Sequence, residues 1–306
     1  MVEKLNIVPQ MISVIIATHR RPDYLEEQLQ HIISQRNAKY EIIVVNDIEE
    51  PELTDDVVKK YKVDKYIKTS VYQGPSQKHK AGLSVAVGEF VYLPDDDDYL
   101  VDDDYFFKAV TKLIEDSRLS FVAANTIVSY EFEDEARNYL KKEPINVKGY
   151  INGFEYLQEF QNGLQKPYSA ISTIFRRHAF DKVDALHMKE MSDSSMHMIV
   201  LLVGDAFVFS DYVAVWRCKD GGITTGASWN FIRNVLCQKE DIYRKGKSKI
   251  SRPRDFWCNQ YIITYNLYCN NSQNSKFKIW LWGIMHAHCS KKLLRFIIKE
   301  IYHGVF

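Results

Sequence analysis

Cysteine is scarce in this chain: five in 306 residues, Cys218, Cys237, Cys258, Cys269 and Cys289. The count is odd and no C-x-x-C pair occurs, which argues against a disulfide framework and against a zinc site. The first apolar run, Ile12 to Ala17, is too short for a secretory leader and lacks a cleavage pattern. The expectation is therefore reduced thiols in a cytoplasmic protein. Long hydrophobic runs are missing too. The nearest, Phe277 to Cys289, falls short of the roughly 18 residues needed to cross a bilayer. Glycine is sparse, and the turn after the first apolar run, "ATHRRPD", contains none. A glycine-rich phosphate loop is thus excluded at that position. No internal repeat and no low-complexity tract is present.

Net charge is zero, with 40 Lys/Arg against 40 Asp/Glu, but its distribution is uneven. Residues 237–306 hold 13 Lys/Arg and 4 Asp/Glu. An acidic body with a basic tail suggests that the last quarter meets something anionic, the plain alternative being a solvated basic face.

Up to about residue 117 the chain alternates short apolar runs with helical patterns. "ISVIIA" reads as a strand, followed by a helix entered at Pro22 with Leu25, Leu29, Ile32 and Ile33 on one face. "YEIIVVND" is a second strand, and Val57, Val58 and Tyr61 mark another helix. "DKYIKTS" is a third strand, "SQKHKAGLSVAVG" a helix stopped by Gly88, and "EFVYL" a fourth strand. Residues 120–130, 168–175 and 206–217 read as further strands, and residues beyond about 225 as helical. Strands without period-2 alternation are covered on both faces, which predicts a largely parallel sheet between helical layers. Ligands of such sheets bind outside the carboxyl ends of the strands.

The fourth strand runs into "PDDDDYLVDDDYF". Asp95 to Asp98 are consecutive, and Asp102 to Asp104 follow. Crowded carboxylates repel, and either water or a divalent cation relieves them. As an isolated run, a solvated turn is the plainer reading. Its place at a strand carboxyl end, like that of Thr18 and Asp47, makes it part of a crevice. Asp102 to Asp104 suit the start of the next helix, where anions complement the dipole.

These pieces, with "FRRHAF", "SDSSMHMIVLLVG" and "VAVWRCKDGGIT", come in an order and spacing that resembles the family 2 glycosyltransferases, inverting enzymes of GT-A fold. The resemblance covers residues 11–226. It implies an α/β, Rossmann-like, mostly parallel sheet sandwiched by helices: a catalytic domain over 1–226, with a nucleotide-sugar half (11–117) and an acceptor half (118–226). Residues 227–306 have no counterpart and form a basic, aromatic, helical C-terminal region. The resemblance also implies a nucleotide-sugar donor, usually a UDP-sugar, and a divalent cation, Mn²⁺ or Mg²⁺. By position, Thr18 and Asp47 lie beside the base, Asp95 or Asp96 at the ribose, Asp97 on the metal, Asp193 as the catalytic base and Arg217 near the diphosphate. Arg21 is a further candidate to face the diphosphate. The sequence departs from the family pattern at Asn46-Asp47-Ile48-Glu49, at Lys78-His79-Lys80, at Ser192 and at Lys219.

Each residue has a plainer reading: Asp193 as a helix N-cap, Asp47 as an Asx turn, Arg217 as a surface ion pair. His19, His178, His187 and His197 show no ligand spacing and read as structural. Trp229, Trp257, Trp280 and Trp282 read as core, while Tyr and Trp within 220–265 are candidates to stack on an acceptor sugar. The function implied is transfer of a sugar to a glycan or lipid-linked hydroxyl in bacterial-type surface polysaccharide assembly. Two alternatives stay open: a degenerate member that binds nucleotide or glycan without turnover, and a nucleotidyltransferase, which the absence of a glycine-rich loop disfavours. Residues 276–306 mix apolar and basic residues, as a helix lying on an anionic membrane does. A helix pair packed on the catalytic domain or on a partner subunit is the equal alternative. No nucleic-acid module is visible.

Overall fold

The computed structural model describes residues 8–47, 51–69, 74–219, 227–269, 273–288 and 290–305. The first half alternates β1 (Val8–Thr18), α1 (Pro22–Ile33), β2 (Lys39–Asp47), α2 (Pro51–Tyr61), β3 (Lys65–Thr69), α3 (Gly74–Val85), β4 (Gly88–Tyr92), the short β5 (Tyr99–Leu100) and α4 (Tyr105–Glu115). Then come β6 (Leu119–Glu131), β7 (Tyr139–Lys141), β8 (Gly149–Ile151), α5 (Gly153–Glu159), β9 (Thr173–Arg176), α6 (Arg177–Val183), α7 (Asp193–Val200) and β10 (Asp205–Lys219). Four helices complete the chain: α8 (Trp229–Gly246), α9 (Pro253–Cys269), α10 (Gln273–Met285) and α11 (Lys291–Val305).

One sheet runs in the order β3-β2-β1-β4-β9-β6-β10-β5, with β7 on β6 and β8 on β10. β3, β2, β1 and β4 are parallel, as are β6 and β10, whereas β9 lies antiparallel between β4 and β6. The alternating first half is thus parallel, as predicted, and the sheet as a whole is mixed.

Alternate residues of the strands feed two separate cores. Ile15, Ile43, Val45, Val91, Phe121 and Phe175 point to one face; Ile12, Val14, Ile16, Val44, Phe90 and Ile174 point to the other. This double coverage is why the strands read as continuous apolar runs. α1, α2 and α4 supply the second core, through Leu25, Leu29, Val57, Phe106 and Leu113. α3, α6, α7 and the C-terminal helices cover the first, and Ile232, Trp257, Trp282, Leu293 and Ile297 are continuous with it. Trp257 and Trp282 are core residues, as expected.

Two boundaries differ from the reading of the sequence. α3 ends at Val85, and Gly88 opens β4 rather than stopping the helix. A Cβ there would sit 2.6 Å from the Ser13 backbone nitrogen, so strand proximity, not helix termination, requires this glycine. The strand expected over 168–175 is confined to Thr173–Arg176, because Ser169 caps a single 3₁₀ turn, Ala170–Ser172, ahead of it. No helix among the described residues is long and apolar enough to cross a membrane.

Candidate active site

The acidic run leaves β4 beside β1, with Asp95 bridged to Ala17 and Asp96 and Asp97 in a turn ahead of β5. Burial then separates the four carboxylates. Asp96 and Asp98 are buried, at 5% and 2% exposure, while Asp95 and Asp97 are only partly covered. Asp96 accepts from the Thr18 hydroxyl at 2.8 Å and from Arg21 Nη1 at 3.2 Å. Asp98 accepts from the Arg217 backbone N–H at 2.9 Å and from the Ser169 hydroxyl at 3.2 Å. Both carboxylates are held in place by these bonds. Burial raises the affinity of both for protons, and burial together with Asp193, Asp97 and Asp96 raises that of Asp95.

Asp97 lies at the mouth of the crevice, 3.0 Å from Arg21 Nη1 and 3.7 Å from Lys219 Nζ. The Lys219 ammonium is buried over the Tyr24 ring without a hydrogen-bond partner. Arg217 is spent differently. Its two Nη atoms pair with both oxygens of Glu27 at 2.9 Å, its Nε meets Glu131 at 3.1 Å, and Nη1 also reaches the Asp97 carbonyl at 2.8 Å. A guanidinium fixed in this way braces the turn. Of the two cations on this strand, Lys219 is the one whose charged end lies beside the Asp97 carboxylate. The backbone of Asp47 ends β2 at the same sheet edge; its side chain lies outside the described residues.

Asp193 is the first residue of α7, behind Ser192 at the N-cap position, so it is not itself the cap. The helix dipole favours its anion. Burial raises its proton affinity, opposed by Lys166 and by the Ala170 N–H that donates to it. His197, one turn on, fixes this end of the helix. Its Nδ1 lies 2.7 Å from the Asp193 carbonyl, and its Nε2 is 3.0 Å from the Thr173 hydroxyl. The network assigns the neutral tautomer, with Nδ1–H donating and Nε2 accepting. α3 holds the approach to this helix: Ser76 accepts from the Met191 N–H, and Lys80 reaches the Met188 carbonyl.

The structure thus brings together Thr18, Arg21, Asp95, Asp96, Asp97 and Asp193 from three separate segments. Reading the sequence missed Lys166, Lys78, Gln28, Glu27 and the placing of Lys219 beside Asp97. Lys78 donates to the Thr18 carbonyl and Gln28 to the Asp95 carbonyl. The local signals were the unusual Lys78-His79-Lys80 segment and the departure at Lys219. His79 is buried with both ring nitrogens unpartnered, and burial beside Lys78 lowers its pKa to about 4.

Among the described residues no three Asp, Glu, His or Cys side chains converge as a preformed metal cage. The donor set nonetheless suits a hard divalent cation of the kind held by one or two carboxylates plus ligand phosphates. Asp97 and Asp95 offer partly exposed carboxylate oxygens, and added positive charge would relieve the crowding around Asp95.

The fold is that of GT-A transferases. The chain belongs to glycosyl transferase family 2, whose sequence profile matches residues 13–184, and it is a glycosyltransferase. It is 21% identical over 232 residues to the glycosyltransferase GlyG of Streptococcus pneumoniae, covering 70% of this chain and 73% of that protein. Among solved structures it resembles Staphylococcus aureus TarS 1–349 in complex with UDP-GlcNAc, with a TM-score of 0.61, 15% identity and coverage of 96% and 92%. It also resembles the mannosyltransferase PcManGT of Pyrobaculum calidifontis in complex with GDP-Man and Mn²⁺, with a TM-score of 0.55, 14% identity and coverage of 99% and 84%.

Proposed function

We propose that this protein is an inverting transferase that moves a hexosyl or N-acetylhexosaminyl group from a nucleotide-sugar, by preference a UDP-sugar, to a hydroxyl of a glycan or lipid-linked acceptor. The observation that carries the proposal is the placement of Asp193 at the start of α7, near enough to Asp95 for its charge to raise the proton affinity of that carboxylate. A carboxylate base beside the acidic run suits removal of an acceptor hydroxyl proton.

In one displacement the acceptor oxygen forms its bond to the anomeric carbon as the bond to the diphosphate oxygen breaks. Asp193 takes the hydroxyl proton, and the bonding pair leaves with the nucleoside diphosphate. Arg21 and Lys219 lie beside Asp97, where the leaving charge accumulates, and they suit the stabilisation of that charge. Asp97, with Asp95, would hold Mn²⁺ or Mg²⁺, which supplies further neutralisation of the diphosphate when bound. Thr18, Asp47 and Asp96 would frame the nucleoside. Residues 1–226 act in this reading as the catalytic domain and 227–306 as an appended helical region.

The reading extends to location. α10 exposes Phe277, Leu281, Ile284 and Met285, and α11 exposes Ile298 and Tyr302 among Lys291, Lys292, Arg295 and Lys299. This mixture suits peripheral contact with an anionic membrane from the cytoplasmic side, where a polysaccharide acceptor carried on lipid would be met.

The test is thermal unfolding with UDP and GDP, each with and without Mn²⁺, on wild type and Asp97→Asn. A nucleotide at 100 times its Kd adds about 2.7 kcal/mol. Stabilisation by UDP that needs Mn²⁺ and vanishes in Asp97→Asn supports the proposal. No response to any nucleotide would remove the donor site from the reading and leave Asp95 and Asp97 as solvated carboxylates.

A further inference from the structure

A cavity of about 460 Å³ opens between the turn at 161–165 and β10, with Ile145, Gln161, Leu164, Lys166, Tyr168 and Trp216 in its wall. Its volume lies within the range of roughly 300–1,000 Å³ usual for ligand sites. The wall is continuous with the catalytic groups. Tyr168 directly precedes Ser169, which donates to Asp98, and stands two residues before Ala170, whose N–H meets Asp193. Trp216 directly precedes Arg217, whose N–H meets Asp98. Lys166, in the wall, also opposes protonation of Asp193 by its charge, so the cavity opens near that carboxylate.

The lining specifies its chemistry. Tyr168 and Trp216 present nearly parallel rings, 6.2 Å between centroids and inclined at 25°. Aromatic faces beside apolar Ile145 and Leu164 suit the C–H face of a pyranose. Gln161 sits in a left-handed turn, φ 59°, tied by its N–H to the Leu164 carbonyl at 2.7 Å. Its Oε1 is buried and has no hydrogen-bond partner. An unsatisfied buried acceptor of this kind is relieved by a ligand that donates a hydroxyl, and discrimination against a phosphate rests on the lack of a free cation among the described residues of the wall. The one cation in the wall, Lys166, is already engaged by the carbonyls of Pro167 and Tyr168, at 2.9 and 2.7 Å. Asn146 braces the turn through Gln165 and Gly163, so the wall is formed before any ligand arrives.

We propose that this cavity is the acceptor subsite and that it takes a neutral sugar ring, stacked on Trp216 or Tyr168 and donating a hydroxyl to Gln161, rather than an anionic polyol phosphate. The inference deepens the transferase reading of the same site and rests on it.

Protein labelled with 5-fluorotryptophan carries five ¹⁹F probes, one for each tryptophan, and Trp216→Phe identifies the line of Trp216. The titrants are the methyl glycosides of glucose, galactose, mannose and N-acetylglucosamine, and glycerol 3-phosphate, with and without UDP and Mg²⁺. At least one glycoside shifts the Trp216 line in a saturable way, glycerol 3-phosphate does not, and Gln161→Ala weakens the response about tenfold, as loss of one buried hydrogen bond predicts. A Trp216 line that no glycoside moves, or that only glycerol 3-phosphate moves, overturns the proposal. A response to glycoside that Gln161→Ala leaves unchanged overturns the role of Gln161 in it. UDP with Mg²⁺ is scored separately by thermal unfolding: no shift there counts against the donor site, and a saccharide response in the same protein still supports the cavity.

Discussion

Lowering the pH from 7 to 5 should destabilise the fold through His197, by an amount that can be worked out. The imidazole is fully buried, ringed by Phe121, Phe160 and Phe175, and faces Lys166. Burial, with Lys166 adding to it, lowers its pKa to about 3, against about 6.5 in the unfolded chain. The folded pKa is depressed, so below pH 6.5 the unfolded state binds a proton that the folded state refuses. Stability falls by about 1.4 kcal/mol per pH unit over that window, or roughly 2 kcal/mol between pH 7 and 5. Asp95, Asp96 and Asp98 act in the opposite sense, because their folded proton affinities are raised and they gain protons on folding as the pH falls. The slope of the wild type alone is therefore mixed. The difference between wild type and His197→Asn isolates the histidine, since the carboxylates are common to both. Urea unfolding at pH 7, 6 and 5 measures it, and the variant should lose less stability on acidification by about 2 kcal/mol. Parallel slopes in the two proteins would refute the account: His197 would then titrate as an ordinary surface histidine, and its fixing of α7 through the Asp193 carbonyl would be wrong.

Asp193→Asn should lower kcat by about 10²- to 10⁴-fold while nucleotide-dependent stabilisation persists. In the wild type the acid limb of the rate profile lies above the ordinary aspartate range, and Lys166→Met shifts it higher by removing the cation that opposes protonation of Asp193; steady-state rates against pH report both. Gly82→Ala places a methyl on Ile15 and against Val45, where α3 approaches the sheet, and should cost about 1–3 kcal/mol in urea unfolding. Reversing Lys291, Lys292 and Arg295 to Glu should weaken co-sedimentation with phosphatidylserine vesicles and leave binding to neutral vesicles little changed; equal binding to both before and after the change would remove the membrane contact.

Much of the fold was legible because a strand covered on both faces must be apolar at every position, and a helix covered on one face must be apolar every third or fourth. β1, β2 and β4, with the helices between them, announce themselves in that way, and the acidic run is marked as a crevice by its place at a strand end. The resemblance located Asp193 by order and spacing, where local chemistry alone favoured a helix cap.

Other features depend on groups distant in the chain, which spacing does not record. Four consecutive aspartates look equivalent in the sequence; the turn beside β1 points Asp96 and Asp98 inward to Thr18, Arg21, Ser169 and Arg217, and leaves Asp95 and Asp97 to the crevice. Arg217 reads as a candidate phosphate contact until Glu27, 190 residues away, occupies its guanidinium. Lys166 and Trp216 carry no motif at all, and only the packing of their segments against α7 and the acidic turn makes them neighbours of the chemistry. What the sequence determined by itself is periodic burial and strand-end placement, because both are local. What the tertiary structure decided is which charges are neutralised and which remain free to act, because that depends on partners that folding alone brings within a few ångströms.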